Sequence, residues 1–256
     1  MHLTIHPILV IFLAALVAIV VLLRPTDLRD ALLSLVARIR ARRLRRTLER
    51  ELDAPILPVI GQMNGDMPTR TLDDLRSLPE SGALYVLIDS PGGIGHVGSQ
   101  IVRAISARKG PVFAVVPRRA WSNGTVVATG ADVIRMGPDA QLGPCCPIGH
   151  IDPTDLHSAA VMRAADDSRT VDQVRAQWMQ AEVAETIRKA RIRRGANPDS
   201  ARTLSYYLTS GALGTHWNPL YLEDVRDLGL VAEPLQDPRW DRLAQLCLAG
   251  LRPDER

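Results

Sequence analysis

The sequence predicts an α/β domain carried behind a single membrane-spanning helix, and three observations predict it. An unbroken apolar stretch runs near the N-terminus, a segment crowded with arginine follows it, and from residue 54 onward short apolar runs alternate with helical segments and turn residues.

Residues 3–23 are interrupted only by Thr4, His6 and Pro7, and every residue from 8 to 23 is apolar. As a helix rising 1.5 Å per residue this stretch reaches about 31 Å, the hydrocarbon thickness of a bilayer. A cleaved signal peptide would carry a basic start and a small-residue cleavage site, whereas here no arginine or lysine precedes the stretch and Arg24 and Pro25 follow it. A buried core helix fits less well, because no polar face is left for water. Residues 1–24 are therefore expected to be an uncleaved transmembrane anchor.

Arg24, Arg29, Arg38, Arg40, Arg42, Arg43, Arg45, Arg46 and Arg50 all lie on the C-terminal side of that stretch. The positive-inside rule then makes this a single-pass protein with its C-terminal bulk in the cytoplasm. The net charge of +3 comes largely from this one cluster, so it does not point to nucleic acid as a partner. Residues 25–53 read as a basic juxtamembrane helix. Leu28, Leu32, Leu35 and Ile39 recur within it at helical spacing. Such an apolar edge can lie in the lipid interface while the arginines meet anionic headgroups; a solvated connector helix accounts for the pattern equally well.

Residues 54–256 form the α/β domain. Strands are expected at 56–60, 83–88, 112–116 and 133–136, where apolar and β-branched residues cluster. Val97, Ile101, Ala104 and Ile105 mark one face of a helix running to about Arg108. Strand, crossover helix and strand in that order imply parallel pairing, which gathers the loops at the C-terminal ends of the strands along one edge. Residues 171–194, free of Pro and Gly, read as a long helix, and residues 217–233 as a connection, helix and final strand with Val225, Leu228 and Leu230 inward. Residues 234–256 read as a loosely docked C-terminal helix and tail.

Three cysteines make no even disulfide framework, and Cys145 and Cys146 have no partners at metal-ligand spacing. No glycine-rich phosphate loop occurs either, so neither metal nor cofactor is called for. The Asn123-Gly124-Thr125 triplet fits a glycosylation sequon but falls on the expected cytoplasmic side.

Two of the edge loops carry candidate chemistry. Asp89-Ser90-Pro91-Gly92-Gly93 follows the second strand, and Ala120-Trp121-Ser122-Asn123-Gly124-Thr125 follows the third. Hydrolysis of a peptide bond needs a nucleophile, a base to take its proton, and donors for the oxyanion. Ser122 stands where a loop enters a helix, a setting of exposed backbone N–H groups that favours developing negative charge. Gly92 and Gly93 let the backbone approach a substrate closely, and the N–H groups of Gly93 and Asn123 can form an oxyanion hole, with Gly92 and Gly124 lining the substrate site. Taken singly, Pro-Gly-Gly is an ordinary turn and a Ser before Asn-Gly an ordinary helix cap; the signal is their placement on successive strand ends.

The chain resembles the SDH proteinases, membrane-bound serine proteinases related to signal peptide peptidase A and the Clp protease subunit. The resemblance covers most of residues 54–233. It is carried by Ile88-Asp89-Ser90-Pro91-Gly92-Gly93, by Val116-Pro117 leading to Ala120-Trp121-Ser122-Asn123-Gly124-Thr125, by Ala131-Asp132-Val133-Ile134-Arg135-Met136 and by Leu142-Gly143-Pro144. Leu204-Ser205, Thr215-His216, Pro219 and Asp227-Leu228-Gly229-Leu230-Val231 continue it. The resemblance implies a ClpP/crotonase-like spiral of ββα units, a Ser/Lys dyad, peptide or protein substrates, and assembly into homo-oligomers. Ser122 matches the nucleophile and Gly93 an oxyanion donor.

The base departs from the family. Its lysine falls on Arg163, and a guanidinium with pKa above 12 costs about 7 kcal/mol to hold neutral at pH 7. Cys145-Cys146-Pro147 also replaces the family's Val-Asp-Pro. Only Lys109 and Lys189 remain as lysines: Lys109 reads as a solvated charge in a turn, and Lys189 as an alternative base or a member of an exposed basic face. His96, His150 and His157 follow candidate edge loops and offer imidazole as another base, although loop histidines are commonly plain surface groups. The expected activity is that of a membrane-anchored serine endopeptidase working through an acyl-enzyme on Ser122. The alternatives are a catalytically impaired scaffold that binds peptides at the membrane, and an acyl-CoA-handling relative.

Overall fold

The computed structural model describes residues 25–145, 148–151, 154–157, 171–213 and 218–251. The expected anchor and Arg163 lie outside them. Among the described residues no helix is long and apolar enough to cross a membrane.

In chain order the elements begin with α1 (Pro25–Leu52), β1 (Ile56–Ile60), α2 (Met67–Arg76), β2 (Leu84–Asp89), α3 (Gly95–Ser106), β3 (Val112–Val116), β4 (Arg119–Ala120) and α4 (Asn123–Ala128). They continue with β5 (Val133–Met136), β6 (Gln141–Leu142), β7 (Ile148–Ile151), β8 (Thr154–His157), α5 (Val171–Arg193), α6 (Pro198–Thr209), α7 (Leu222–Asp227), β9 (Ala232–Pro234) and α8 (Arg239–Gly250).

The main sheet has the order β1-β2-β3-β5-β9, and every pairing in it is parallel. All six residues of β2 are buried, as a central parallel strand covered on both faces requires. Alternate side chains feed two cores. Leu57, Val59, Val86, Ile88, Ala114 and Val116 meet Val97, Ile101 and Ile105 of α3 and Val126 and Val127 of α4 on one face. Ile56, Ile60, Tyr85, Leu87 and Val115 meet Ala41 and Leu48 of α1 and Trp240, Leu243 and Ala244 of α8 on the other. There the Tyr85 ring stacks on Phe113 at 4.9 Å and on Trp240 at 5.7 Å, and the Arg135 guanidinium lies 4.9 Å above Phe113.

At the C-terminal ends of the strands the chain pairs a second time. Met63 bridges Gly93, Ser90 bridges Ala120, and β4 pairs with β6 through Ala120 and Leu142. A long strand, a short second strand and a helix thus recur, the ββα repetition that the resemblance implied.

The C-terminal segment differs from its expectation. Far from docking loosely, α8 buries Trp240, Leu243 and Ala244 to 4% exposure or less and closes the second core. Likewise α1 is built into that layer, and its Ser34 hydroxyl donates to Gly250 O at 3.0 Å. The helix expected to reach about Arg108 stops at Ser106. Val225 and Leu230 are buried and Leu228 packs against the same core.

The far end of the sheet is tied by arginines. Arg191, 7% exposed, donates to Thr129 O and Ala131 O at 3.3 and 2.7 Å; its burial lowers the guanidinium pKa. Arg194 pairs with Asp132 and donates to Arg108 O and Gly110 O. These contacts fix α5 against the turns that precede β3 and β5.

Candidate active site

The loops after β2 and β3 are stitched together by main-chain bonds before any side chain is considered. Ser90 N–H donates to Arg119 O at 3.1 Å and Trp121 N–H to Ser90 O at 2.9 Å. On the other side, Met63 N–H donates to Gly92 O at 2.7 Å and Ile94 N–H to Met63 O at 2.9 Å. Beneath this junction the Asp89 carboxylate is 1% exposed, paired with Arg118 and, at 3.6 Å, with Arg119. A buried charge at the strand end is thereby neutralised.

Ser122 sits at the turn into α4 with φ 49° and ψ −115°. A non-glycine residue in this region stores roughly 1–3 kcal/mol of strain, which the surrounding bonds must hold. The side chain is partly exposed, while Asn123 and the rest of α4 are buried. Gly92, φ 101°, packs against it: a Cβ there would lie 2.7 Å from Ser122 Cβ and 3.0 Å from Trp121 O. Gly93, φ 147°, is pressed by the neighbouring strand, where a Cβ would lie 2.3 Å from Met63 O. Only glycine fits either position.

Gly92 N–H donates to Ser90 Oγ at 3.0 Å and its carbonyl is taken by Met63, so what Gly92 offers is room beside Ser122. Gly93 differs. Among the described residues no acceptor takes its N–H, nor that of Asn123. The Gly93 carbonyl accepts from Asn123 Nδ2 at 3.1 Å. Gly124 lies beneath the turn, donating to Trp121 O at 2.8 Å, its Cα facing Ala120 Cβ and Ser90 O.

Three further residues hold the turn. The Asn123 carboxamide also donates to Ile94 O at 2.6 Å and packs on Gly98 of α3, so it clamps the glycine loop to α4. The Thr125 hydroxyl lies 2.5 Å from Ala120 O and 2.7 Å from Gly143 O, and accepts from Gly143 N–H at 3.1 Å. Cys145 is 3% exposed with Sγ 3.5 Å from Ser122 O. The sequence pattern assigned no role to the Asn123 and Thr125 side chains; the available signal was their polarity at the start of a helix whose other members are Gly, Val and Ala.

The structure therefore brings together Ser122, Gly92, Gly93, Asn123 and Gly124. It does not bring the lysines to them. Lys189 is 60% exposed and pairs with Glu185 at 3.3 Å; Glu185, held mainly by Arg188, has its pKa drawn down to about 2. Lys109 is 79% exposed and pairs with Glu80 at 3.6 Å. His96 is exposed in the first turn of α3. His150 and His157 belong to the antiparallel β7–β8 hairpin, where His157 is in register with Ile148. A cavity of about 600 Å³ opens beside Trp121, bounded by Arg118, Arg119, Asp139, Gln141 and Asp241.

Comparison with known proteins adds the following. A family model described as ClpP-like SDH-type serine proteinase matches residues 5–237. An uncharacterized protein of Methanocaldococcus jannaschii is 29% identical over 170 residues, which are 61% of this chain and 55% of that protein. The chain spans about half the length of the curated relatives it matches. Among solved structures, a mutant of the 1510-N membrane-bound stomatin-specific protease superposes with a TM-score of 0.51 at 18% identity, covering 77% of this chain and 89% of that one. A second mutant of that protease, in complex with a substrate peptide, gives 0.50 at 19% identity over 72% of this chain and 75% of the other.

Proposed function

We propose, from the premise that this chain belongs to the ClpP-like SDH-type serine proteinases, that it is a membrane-anchored endopeptidase that cleaves peptide segments through an acyl-enzyme on Ser122. The observation that carries the reading is the junction of two loops: a strained serine packed directly on Gly92, next to two main-chain N–H groups without an acceptor among the described residues.

The chemistry follows from those positions. Ser122 Oγ attacks the scissile carbonyl carbon and gives its proton to a base. The carbonyl oxygen, now an anion, takes hydrogen bonds from Gly93 and Asn123 N–H. Collapse of the tetrahedral species expels the amine, which leaves with a proton, and water then releases the acyl group by the same route. Arg163 stands at the family's base position, and its high pKa is the reason another group must accept the proton or the turnover must be slow. Residues 1–24 hold the domain at a bilayer with its bulk on the cytoplasmic side, and the peptide comes from a membrane-proximal protein. Homo-oligomers are the working form.

A fluorophosphonate probe on the full chain tests this. The wild type is expected to label and Ser122→Ala to lose all labelling, while Arg163→Lys is expected to accelerate it at least tenfold if base strength limits the reaction. A well-folded wild type that never labels would leave only the reading of an inactive peptide-binding scaffold.

A further inference from the structure

One face of α1 is unaccounted for by the fold. Ala37, Ala41 and Leu48 are buried, at 7%, 7% and 1% exposure, on the side turned to α8. On the opposite side Leu32, Leu35, Val36 and Ile39 are 60%, 48%, 37% and 43% exposed. These four stand at i, i+3, i+4 and i+7, so they form one continuous stripe, roughly 100° wide, on a helix whose core-facing side is already filled. The same line of the helix continues into Arg43, Arg46 and Arg50, all exposed. From residue 31 to residue 48 no acidic residue occurs, and Arg38, Arg40, Arg42, Arg43 and Arg46 have no acidic partner among the described residues.

Two occupants fit an apolar stripe of this spacing, a second copy of α1 or a lipid surface. Charge decides between them. Carrying the spacing of Leu32, Leu35 and Ile39 onward places Arg42 and Arg46 at the seam, so two copies would set arginine against arginine where a helix pair needs apolar knobs. An anionic bilayer meets both halves: its acyl boundary takes the leucines and its headgroups take the arginines. The position along the chain agrees, since the apolar run of residues 8–23 ends two residues before α1 starts.

We propose that the Leu32–Leu35–Val36–Ile39 stripe of α1 docks in the interface of an anionic bilayer, with Arg43 and Arg46 on its headgroups. The α1/α8 layer then faces lipid. The helix that carries Ser122 packs on the other face of the sheet, so the serine is turned away from the surface. This docking is independent of catalysis at Ser122 and is tested without it.

The test uses the full chain with Val36→p-benzoylphenylalanine, reconstituted in nanodiscs of phosphatidylcholine alone or of phosphatidylcholine mixed with phosphatidylglycerol, and irradiated. Lipid adducts at position 36, read by mass spectrometry, are expected in the mixed discs. Their yield is expected to fall about fivefold in neutral discs and by a similar factor for each of Arg43→Gln and Arg46→Gln. Cross-linked dimers in place of lipid adducts, absence of any adduct, or equal yields in the two lipids would each overturn the proposal. Thermal melting of the variants is expected to match the parent, because none of the substituted side chains reaches the core.

Discussion

Asn123 links the two halves of the candidate site through one carboxamide, which donates to Gly93 O and Ile94 O while its own main-chain N–H stays available. Replacing the amide by a carboxylate sets negative charge against two carbonyl oxygens and loosens the glycine loop. Asn123→Asp is expected to slow acylation by about 100-fold with KM for a peptide nearly unchanged, whereas a purely structural role would lower the melting temperature and spare the rate. The glycine beside it is constrained by space. Gly92→Ala puts a methyl group 2.7 Å from Ser122 Cβ at a φ of 101°, so Ser122 must move. Labelling by a fluorophosphonate is expected to fall at least tenfold even in molecules that fold. These two residues also mark what the sequence could and could not convey. That Gly92, Gly93 and Ser122 converge was legible, because both loops follow strands of one parallel sheet. The direction of the Asn123 side chain was not, because a carboxamide at a helix start looks the same whether it reaches solvent or a neighbouring loop.

At the level of elements, β1, β3 and β5 were legible to the residue, since buried parallel strands read as apolar runs between turns. α2 and α6 were not: among the described side chains of α2 only Thr71 and Leu75 are buried, and in α6 the buried Ala201, Leu204 and Leu208 are broken up by polar residues, with Ser205 and Thr209 buried beside them. β4 and β6 are two residues each and carry no periodicity at all. α8 was legible as a helix but not as a tightly packed one, because its buried Trp240, Leu243, Ala244 and Leu246 are interspersed with charged and polar residues. Trp240→Ala is expected to destabilise the domain by about 3–5 kcal/mol, measured by chemical denaturation, since it empties the stack on Tyr85. The same helix carries a pH signature. Burial raises the Cys247 thiol to about 11 from 9.0. As pH rises past about 9 the unfolded chain loses this proton first, while the folded chain keeps it to about 11. The folded state therefore binds more protons in that window and loses stability across it. Comparing unfolding at about pH 8 and about pH 10.5, Cys247→Ala is expected to show a smaller decline than the parent; equal declines would assign the loss to other groups.

For the whole molecule, the residue pattern carried the sheet and its two active-edge loops, the second tier of pairing came only with the family resemblance, and the closure of the rear layer emerged only from the three-dimensional arrangement. Arg163, which the resemblance sets at the base position, lies outside the described residues, so the site is legible in its serine and main-chain donors and not in its proton-accepting half. Closure of the rear layer joins chain segments far apart: Ser34 bonds Gly250, 216 positions later. During synthesis, the face formed by Tyr85, Leu87 and Val115 must therefore remain uncovered on its α8 side until residues 239–250 have emerged from the ribosome. A nascent chain waits with that face bare until α8 arrives, which makes this interval its period of greatest exposure to aggregation and to chaperones.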